Sequence, residues 1–279
     1  MKKLVKTISA VALSLSIAGS VASLTACGSA EADPYIITVG ASITPHAEIL
    51  ENVVKPKLEE YGYTLKVVEY QDYIQPNLAV EQDELDANYF QHNLYLEDFN
   101  ATRGTHLKAV AQVHYEPFAI YAGSSYTGSL QSLSDGAKIG VPNDGTNEAR
   151  ALLLLQKEGL ITLKSGVTAS LITKNDIVSN PKNLDIVELE AAQIAQHLPS
   201  LSAGVINGNY ALQNNLKIES AIASEDANDQ NVKQYVNVLA VKDGNEDNPK
   251  IKALKTALLS VEVKDYIVST YGGAVVSVF

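Results

Sequence analysis

The chain has 279 residues, of which 46% are hydrophobic, and a formal net charge of −11 at pH 7. This acidic balance argues against nucleic-acid binding and against electrostatic docking on an anionic membrane. With Cys27 as the only cysteine, internal disulfides are excluded, so the fold depends on its hydrophobic core.

The N-terminus has the pattern of an export signal. Three lysines among the first six residues precede the serine-diluted apolar segment Ile8–Leu24, and Leu24–Cys27 resembles the bacterial lipobox. That resemblance implies a signal peptide over residues 1–26, diacylglycerol attachment at Cys27 and a lipidated tether over residues 27–34. Two lipid chains anchor a protein stably, so we expect it on the extracytoplasmic face of the cell membrane. The alternatives are a membrane-spanning helix and an incidental thiol.

Short β-branched runs alternate with longer segments of helical periodicity. The predicted strands are Tyr35–Gly40, Thr64–Tyr70, Leu107–Val113, Ala137–Val141, Leu184–Leu189, Ala203–Asn207 and Tyr235–Val241. The predicted helices are Pro45–Tyr61, which has one apolar face, and segments that begin near Asp72, His92, Thr146, Asn175, Pro249 and Glu262. This alternation predicts an α/β fold with a largely parallel sheet.

Two extended segments indicate a division into two lobes. Ala111–Gly123 is long and interrupted by proline, and Tyr235–Val241 is a late strand followed only by helical sequence. Both are suited to cross between lobes, with residues 35–113 and 238–279 in one lobe and 114–237 in the other. A ligand cleft would then lie between the lobes, where strands end and loops converge. The alternative is a single-lobed sheet.

The sequence has no catalytic signature. It contains no GxSxG, GxGxxG or HExxH motif and no phosphate-binding loop. The five histidines, at positions 46, 92, 106, 114 and 197, lack metal-binding spacing, although distant ones can meet in space. We therefore expect a protein that is not an enzyme, with no metal site and no cofactor.

Arg150 falls in the first turn of a predicted helix, where the helix dipole disfavours a cation. The helix follows a strand and a turn, and Asp144 or Thr146 can cap it. Free N–H groups of the first turn form an anion site, and the guanidinium adds donors suited to a carboxylate. We expect Arg150 to bind a small anion. The alternative is an internal pair with Asp144 or Glu148.

Aromatic residues are concentrated around Asp86–Leu96. The cluster comprises Tyr89, Phe90, His92 and Tyr95, with Tyr70 and Tyr73 upstream. It falls where a strand gives way to a helix, and such a wall suits an apolar, polarizable ligand tail. A thioether contributes about 0.3–1.5 kcal/mol per aromatic contact. The alternative is ordinary core packing.

Two asparagines complete the predicted site. Asn207 closes a strand, and Asn237 lies inside another, where strand propensity disfavours an amide. Amides both donate and accept, so the pair can hold an ammonium and a carboxylate together. The alternatives are a turn residue for Asn207 and a solvent-facing strand position for Asn237.

Seven segments in the same order resemble the NlpA-type methionine-binding lipoproteins. They are Val39–Leu50 (VGASITPHAEIL), Tyr70–Tyr73 (YQDY), Pro76–Leu96 (PNLAVEQDELDANYFQHNLYL), Val141–Gln156 (VPNDGTNEARALLLLQ), Asn180–Gln193 (NPKNLDIVELEAAQ), Ala203–Leu212 (AGVINGNYAL) and Gly272–Val275 (GGAV). The resemblance spans almost the whole mature chain. It implies a two-lobed fold like that of type II periplasmic binding proteins.

The resemblance also implies a function. It indicates capture of methionine, as the L or the D enantiomer, and delivery to an ABC permease and its ATPase. It implies that Arg150 grips the ligand carboxylate, that Asn207 and Asn237 fix the amino-acid backbone, and that an aromatic pocket holds the side chain. That pocket comprises Tyr73, Phe90, His92 and Tyr95. The alternatives are binding of another small amino acid, a Met-containing peptide or a carboxylate, hydrolysis by His92 with a nucleophile, and a structural or adhesive role.

Overall fold

The structure, a computed structural model, describes residues 33–126 and 128–279. Residues 34–279 form one compact unit. The predicted signal peptide and Cys27 lie outside the described residues. Within the described ranges, the helices are too short or too polar to cross a bilayer.

The described residues form two mixed sheets and a separate two-stranded antiparallel sheet, with helices packed around them. The strands are β1 (Ile36–Ser42), β2 (Thr64–Tyr70), β3 (Ala87–His92), β4 (Leu107–Tyr115), β5 (Ala119–Ala122), β6 (Lys138–Pro142), β7 (Thr162–Leu163), β8 (Ile177–Ser179), β9 (Asp185–Leu189), β10 (Ala203–Ile206), β11 (Ala223–Ser224), β12 (Asn237–Lys242) and β13 (Val276–Ser277). The α-helices are α1 (Lys55–Glu60), α2 (Gln75–Glu81), α3 (Asn93–Arg103), α4 (Gly145–Lys157), α5 (Ile194–His197), α6 (Gly208–Gln213), α7 (Pro249–Leu258) and α8 (Val261–Tyr271).

The first sheet has the order β13-β4-β12-β3-β1-β2. Strand β1 pairs in parallel with β2 and β3, whereas β12 enters between β3 and β4 in the opposite direction. Its core includes Ile37, Val39, Leu50 and Leu254, all fully buried. The returning strand makes this sheet mixed, so the prediction of a largely parallel sheet is wrong for it.

The second sheet has the order β11-β5-β10-β6-β9. Strand β6 is parallel to β9 and β10, whereas β5 is antiparallel to β10 and β11. Ile139, Leu152 and Leu155 are fully buried in its core, so α4 packs its apolar face on this sheet. The carboxyl ends of β6 and β10 therefore lie side by side.

The chain crosses between the sheets twice. Residues 116–118 join β4 of the first sheet to β5 of the second, and residues 225–236 lead back from β11 to β12. This is the two-lobed α/β arrangement with two crossover segments that the sequence predicts. The first crossover falls within the predicted Ala111–Gly123, whereas the second precedes most of Tyr235–Val241, which is strand β12 of the first sheet. The exact lobe boundaries stay a prediction.

Two local predictions differ from the structure. The predicted helix over Pro45–Tyr61 consists of the π-helical segments Ile43–Ala47 and Leu50–Val54 followed by α1. The helix predicted near Asn175 is wrong: a single 3₁₀ turn, Lys174–Asp176, precedes β8. The Asp176 carboxylate accepts a hydrogen bond from the Thr173 N–H at 3.0 Å, which favours a turn over a continuing helix.

Candidate functional site

Between the two sheets lies a cavity with about 330 Å³ of empty space, a volume that includes open solvent at its mouth. It is lined by Tyr73, Phe90, Gln91, His92, Tyr95, Glu116, Asn147, Arg150, Asn207, Gly208, Asn209 and Asn237. All seven residues of the predicted binding site are among them. They meet because β3 and β10 end at this edge, α4 follows β6 there, and Asn237 pairs in register with His92.

One wall of the cavity is aromatic. The Tyr73 ring lies 5.6 Å from both the Phe90 and the Tyr95 rings, measured between centroids, and 4.9 Å from the Tyr210 ring, with which it stacks. Phe90 is only 2% exposed. Aromatic rings at these separations attract one another and form a rigid apolar surface. Tyr210, which extends this wall from behind, was not among the predicted residues.

His92 is an uncharged part of this wall. Its Nδ1 accepts a hydrogen bond from the Tyr95 N–H at 3.0 Å and so caps α3, while Nε2 lies 3.3 Å from Asn147 Oδ1. Burial, assisted by the positive charge of Arg150, lowers the pKa of His92 to about 3. Among the described residues neither ring nitrogen hydrogen-bonds a hydroxyl, so the geometry gives His92 no nucleophile to activate.

Arg150 is buried, and its Nε and Nη2 groups donate hydrogen bonds within the protein. It is the sixth residue of α4, beyond the first turn, where the effect of the helix dipole has declined. Its Nε donates to Glu225 Oε1 at 2.9 Å, and Nη2 donates to Glu225 Oε2 at 2.6 Å and to the Glu116 carbonyl at 2.9 Å. The alternative of an internal pair is thus met in kind, but Asp144 and Glu148 are wrong as the partners. The partner is Glu225.

The first turn of α4 already holds an anion. Asp144 Oδ1 accepts hydrogen bonds from the Asn147 backbone N–H at 3.1 Å and from Asn147 Nδ2 at 2.8 Å. This confirms Asp144 as the helix cap. It also makes the predicted ligand site on the first-turn amides wrong for Asn147, whose N–H is already used.

The Arg150–Glu225 pair stays ionised. Burial alone would lower the pKa of Arg150, but the Glu225 carboxylate outweighs it and raises that pKa. Burial would raise the pKa of Glu225, but the guanidinium outweighs it and lowers that pKa. The guanidinium carbon also lies 4.2 Å from the centroid of the Tyr235 ring and 4.8 Å from that of Phe118, which adds cation–π attraction.

Asn207 and Asn237 both line the cavity, and Asn207 leaves a polar atom unpaired there. Asn207 donates through Nδ2 to Asn147 Oδ1 at 2.9 Å, and its own Oδ1 is buried without a partner among the described residues. Asn237 is 7% exposed, so a solvent-facing position is wrong, and its Oδ1 lies 3.1 Å from His46 Nε2. A buried polar atom without a partner costs about 1–3 kcal/mol, which a ligand can recover.

Sequence reasoning missed Glu116, Gly208 and Asn209. The Asn209 Oδ1 accepts from the Tyr73 hydroxyl at 2.5 Å, and its Nδ2 is buried without a partner among the described residues. A Cβ on Gly208 would lie 2.6 Å from Glu116 Cβ, so only glycine fits. Two features of the sequence could have indicated these residues. Gly208 and Asn209 belong to the short polar run after β10, and Glu116 lies in the crossover that Pro117 interrupts.

Glu116 is held by two histidines that meet in space. His114 Nε2 donates to Glu116 Oε1 at 2.7 Å and His114 Nδ1 accepts from the Tyr89 hydroxyl, while His46 Nε2 lies 3.5 Å from the same oxygen. Burial lowers the pKa of His46 to about 4 and that of His114 to about 3, and it raises the pKa of Glu116. His114 and the Glu116 carboxylate therefore both have hydrogen-bond partners, and Glu116 lines the cavity.

The chain is similar to known binding proteins along nearly its whole length. The family model described as NlpA lipoprotein matches residues 37–279. A relative from Bacillus subtilis named methionine-binding lipoprotein MetQ is 43% identical, over 96% of this chain and 97% of that protein.

Solved structures agree with this similarity. A nutrient-binding protein from Burkholderia cenocepacia bound to methionine superposes with a TM-score of 0.81 at 40% identity, covering 87% of this chain and all of that one. A periplasmic substrate-binding protein of an ABC transporter from Coxiella burnetii gives 0.79 at 36% identity, with the same coverage. The predicted periplasmic-binding-protein-like fold is thereby confirmed, and the relatives are binding proteins rather than enzymes. The chain belongs to the NlpA lipoprotein family.

Proposed function

We propose that this chain is an extracytoplasmic, lipid-anchored protein that captures free methionine and delivers it to an ABC permease with its ATPase. The observation that carries the proposal is the cavity itself, which joins an aromatic wall to unpaired polar atoms of both kinds. The similarity to a structure bound to methionine and to a substrate-binding protein of an ABC transporter supports the same function.

The polar end of the cavity suits a zwitterion. The Glu116 carboxylate and Asn207 Oδ1 are acceptors for an ammonium. On the donor side, Arg150 lines the cavity and Asn209 Nδ2 is unpaired among the described residues, so both can serve a carboxylate. Asn237 Nδ2 adds a further donor on the strand opposite His92.

The aromatic wall suits the ligand side chain. Tyr73, Phe90, His92 and Tyr95 present ring faces and edges with no net charge, and a thioether gains about 0.3–1.5 kcal/mol per such contact. Another small amino acid, a Met-containing dipeptide or a simple carboxylate would fill the polar end but leave part of this wall unused or crowded. A competition panel of these ligands distinguishes them from methionine.

Binding of the ligand between the lobes would change their relative arrangement, and the permease would recognise that change. Tyr73 donates to Asn209 across the cleft, and the Tyr210 hydroxyl donates to the Gln71 carbonyl at 3.0 Å. We propose that residues 35–113 with 238–279 and residues 114–237 move as lobes, and that the permease recognises their closed arrangement.

The anchor is a separate proposal. Cys27 would carry the diacylglycerol and hold the protein at the cell membrane, in keeping with the lipoprotein family. Incorporation of labelled palmitate by cells that express the full chain tests it. We expect labelling of the wild type and none of Cys27→Ser, whereas equal labelling of both would contradict the assignment.

Calorimetry on the chain from Gly28 tests the ligand. We expect heat of binding with L- or D-methionine, and a much larger loss of affinity for Arg150→Ala than for Lys255→Ala, which alters an exposed residue. Absence of heat and of a thermal shift with either enantiomer and with Met-containing dipeptides would refute the function. Equal affinities of the two variants would restrict Arg150 to a structural role.

A further inference from the structure

Glu225 collects donors from three parts of the chain. Its side chain is 10% exposed and follows β11, at the start of the returning crossover. It accepts from Arg150 on α4, from the Tyr115 hydroxyl at the end of β4, and from the Phe118 N–H on the outgoing crossover at 2.9 Å. One carboxylate therefore ties α4 to both crossovers.

These bonds determine which edge of the guanidinium is available. Of its five N–H groups, the one on Nε and the two on Nη2 are used by Glu225 and the Glu116 carbonyl. The guanidinium carbon also lies 4.2 Å from the centroid of the Tyr235 ring and 4.8 Å from that of the Phe118 ring, and both contacts help to fix its orientation. The Nη1 end, which none of these three bonds uses, is the part of the guanidinium that can reach a ligand in the cavity, which Arg150 lines and Glu225 does not.

Because the Arg150 side chain is already ordered, ligand binding does not have to offset its loss of conformational entropy. A free arginine side chain has to give up rotamer freedom when it binds an anion. Here the ion pair has ordered it in advance. Because Glu225 also balances the charge, burying the guanidinium in the absence of a ligand costs less free energy than burying an unpaired cation.

We propose that Glu225 is a positioning residue for recognition of the ligand carboxylate, acting on the ligand only through Arg150. The inference rests on the proposed function, since it assumes a ligand that carries a carboxylate. It also links the ligand-gripping arginine directly to both segments about which the lobes would move.

A double-mutant cycle tests this role. The affinity for methionine is measured by calorimetry for the wild type, Glu225→Gln, Arg150→Gln and the double variant, with Glu219→Gln as an exposed control on the same lobe. We expect Glu225→Gln to weaken binding about tenfold in the wild-type background and by less than about twofold in the Arg150→Gln background, because directly connected residues couple strongly. The control should match the wild type.

A second readout separates positioning from general damage. The preference for methionine over methioninamide, which lacks the carboxylate, should decrease about tenfold in Glu225→Gln, whereas a merely structural defect would weaken both ligands equally. Where Glu225→Gln does not fold, Tyr115→Phe removes one donor to Glu225 and keeps the aromatic ring that lies 5.7 Å from the Arg150 guanidinium carbon. We expect that variant to lower the same preference by a smaller factor.

The outcomes are distinct. Equal losses in both arginine backgrounds, or an unchanged preference in Glu225→Gln or Tyr115→Phe, would overturn the positioning role while leaving methionine binding intact. Failure of the wild type to bind methionine would instead overturn the proposed function, and this inference with it.

Discussion

The sharpest test of the polar end of the cavity is the substitution Glu116→Gln. Glu116 is 5% exposed, and its Oε1 accepts a hydrogen bond from His114 Nε2 at 2.7 Å. A glutamine has nearly the same shape, and its carbonyl oxygen can accept the same bond. The variant therefore removes a charge from the proposed ammonium site while preserving the packing around it.

The magnitude follows from the kind of hydrogen bond that is lost. A bond to a charged group contributes about 1.5–3 kcal/mol, compared with about 0.5–1.5 kcal/mol between neutral groups. The difference, about 1–1.5 kcal/mol, corresponds to roughly tenfold weaker binding of methionine. Because burial disfavours the Glu116 carboxylate and raises its pKa, we expect the neutral variant to unfold at a temperature close to that of the wild type.

Calorimetry with two ligands gives the result. Methionine should bind about tenfold more weakly to Glu116→Gln, whereas 4-(methylthio)butanoate, which lacks the ammonium, should bind both proteins alike. Lowering the pH should weaken methionine binding to the wild type as the carboxylate is protonated, and this dependence should be absent in the variant. If both ligands weakened equally, Glu116 would only support the fold and the ammonium site would be refuted.

Two further predictions concern packing and pH. Gly208→Ala would place a Cβ 2.6 Å from Glu116 Cβ, so we expect about 1–3 kcal/mol of destabilisation and loss of methionine binding, whereas Gly273→Ala, with nothing within 4 Å, should melt like the wild type. If calorimetry showed Gly208→Ala to melt like the wild type and to bind methionine normally, the close contact would be contradicted. Burial lowers the pKa of His46 to about 4 from 6.5, so the unfolded chain takes up its proton first and stability falls as pH drops through this window. The melting temperature of His46→Asn should therefore depend less steeply on pH between 7 and 5 than that of the exposed variant His197→Asn, and equal slopes would refute this.

Much of the local structure was predictable because short-range patterns decide it. The strand Thr64–Tyr70 was predicted to its exact ends, and the cap at Asp144 followed from the turn before an apolar helical run. The aromatic cluster and Arg150 were placed near one another because α/β ligand sites form at strand ends.

The sequence alone thus determined the alternation of elements and the two-lobed fold class, since hydrophobic period and turn chemistry are local properties. The seven side chains that share one cavity were implied by the resemblance of the sequence to the family. Only the tertiary structure decided which charges meet. Glu148 and Asp144 are nearer to Arg150 in sequence, yet they hold the Lys174 N–H and the helix cap, and the guanidinium pairs with Glu225, 75 residues away. Likewise Glu116 accepts a hydrogen bond from His114 and packs closely against Gly208. These contacts form because the chain crossovers and the packing of both sheets bring distant segments together.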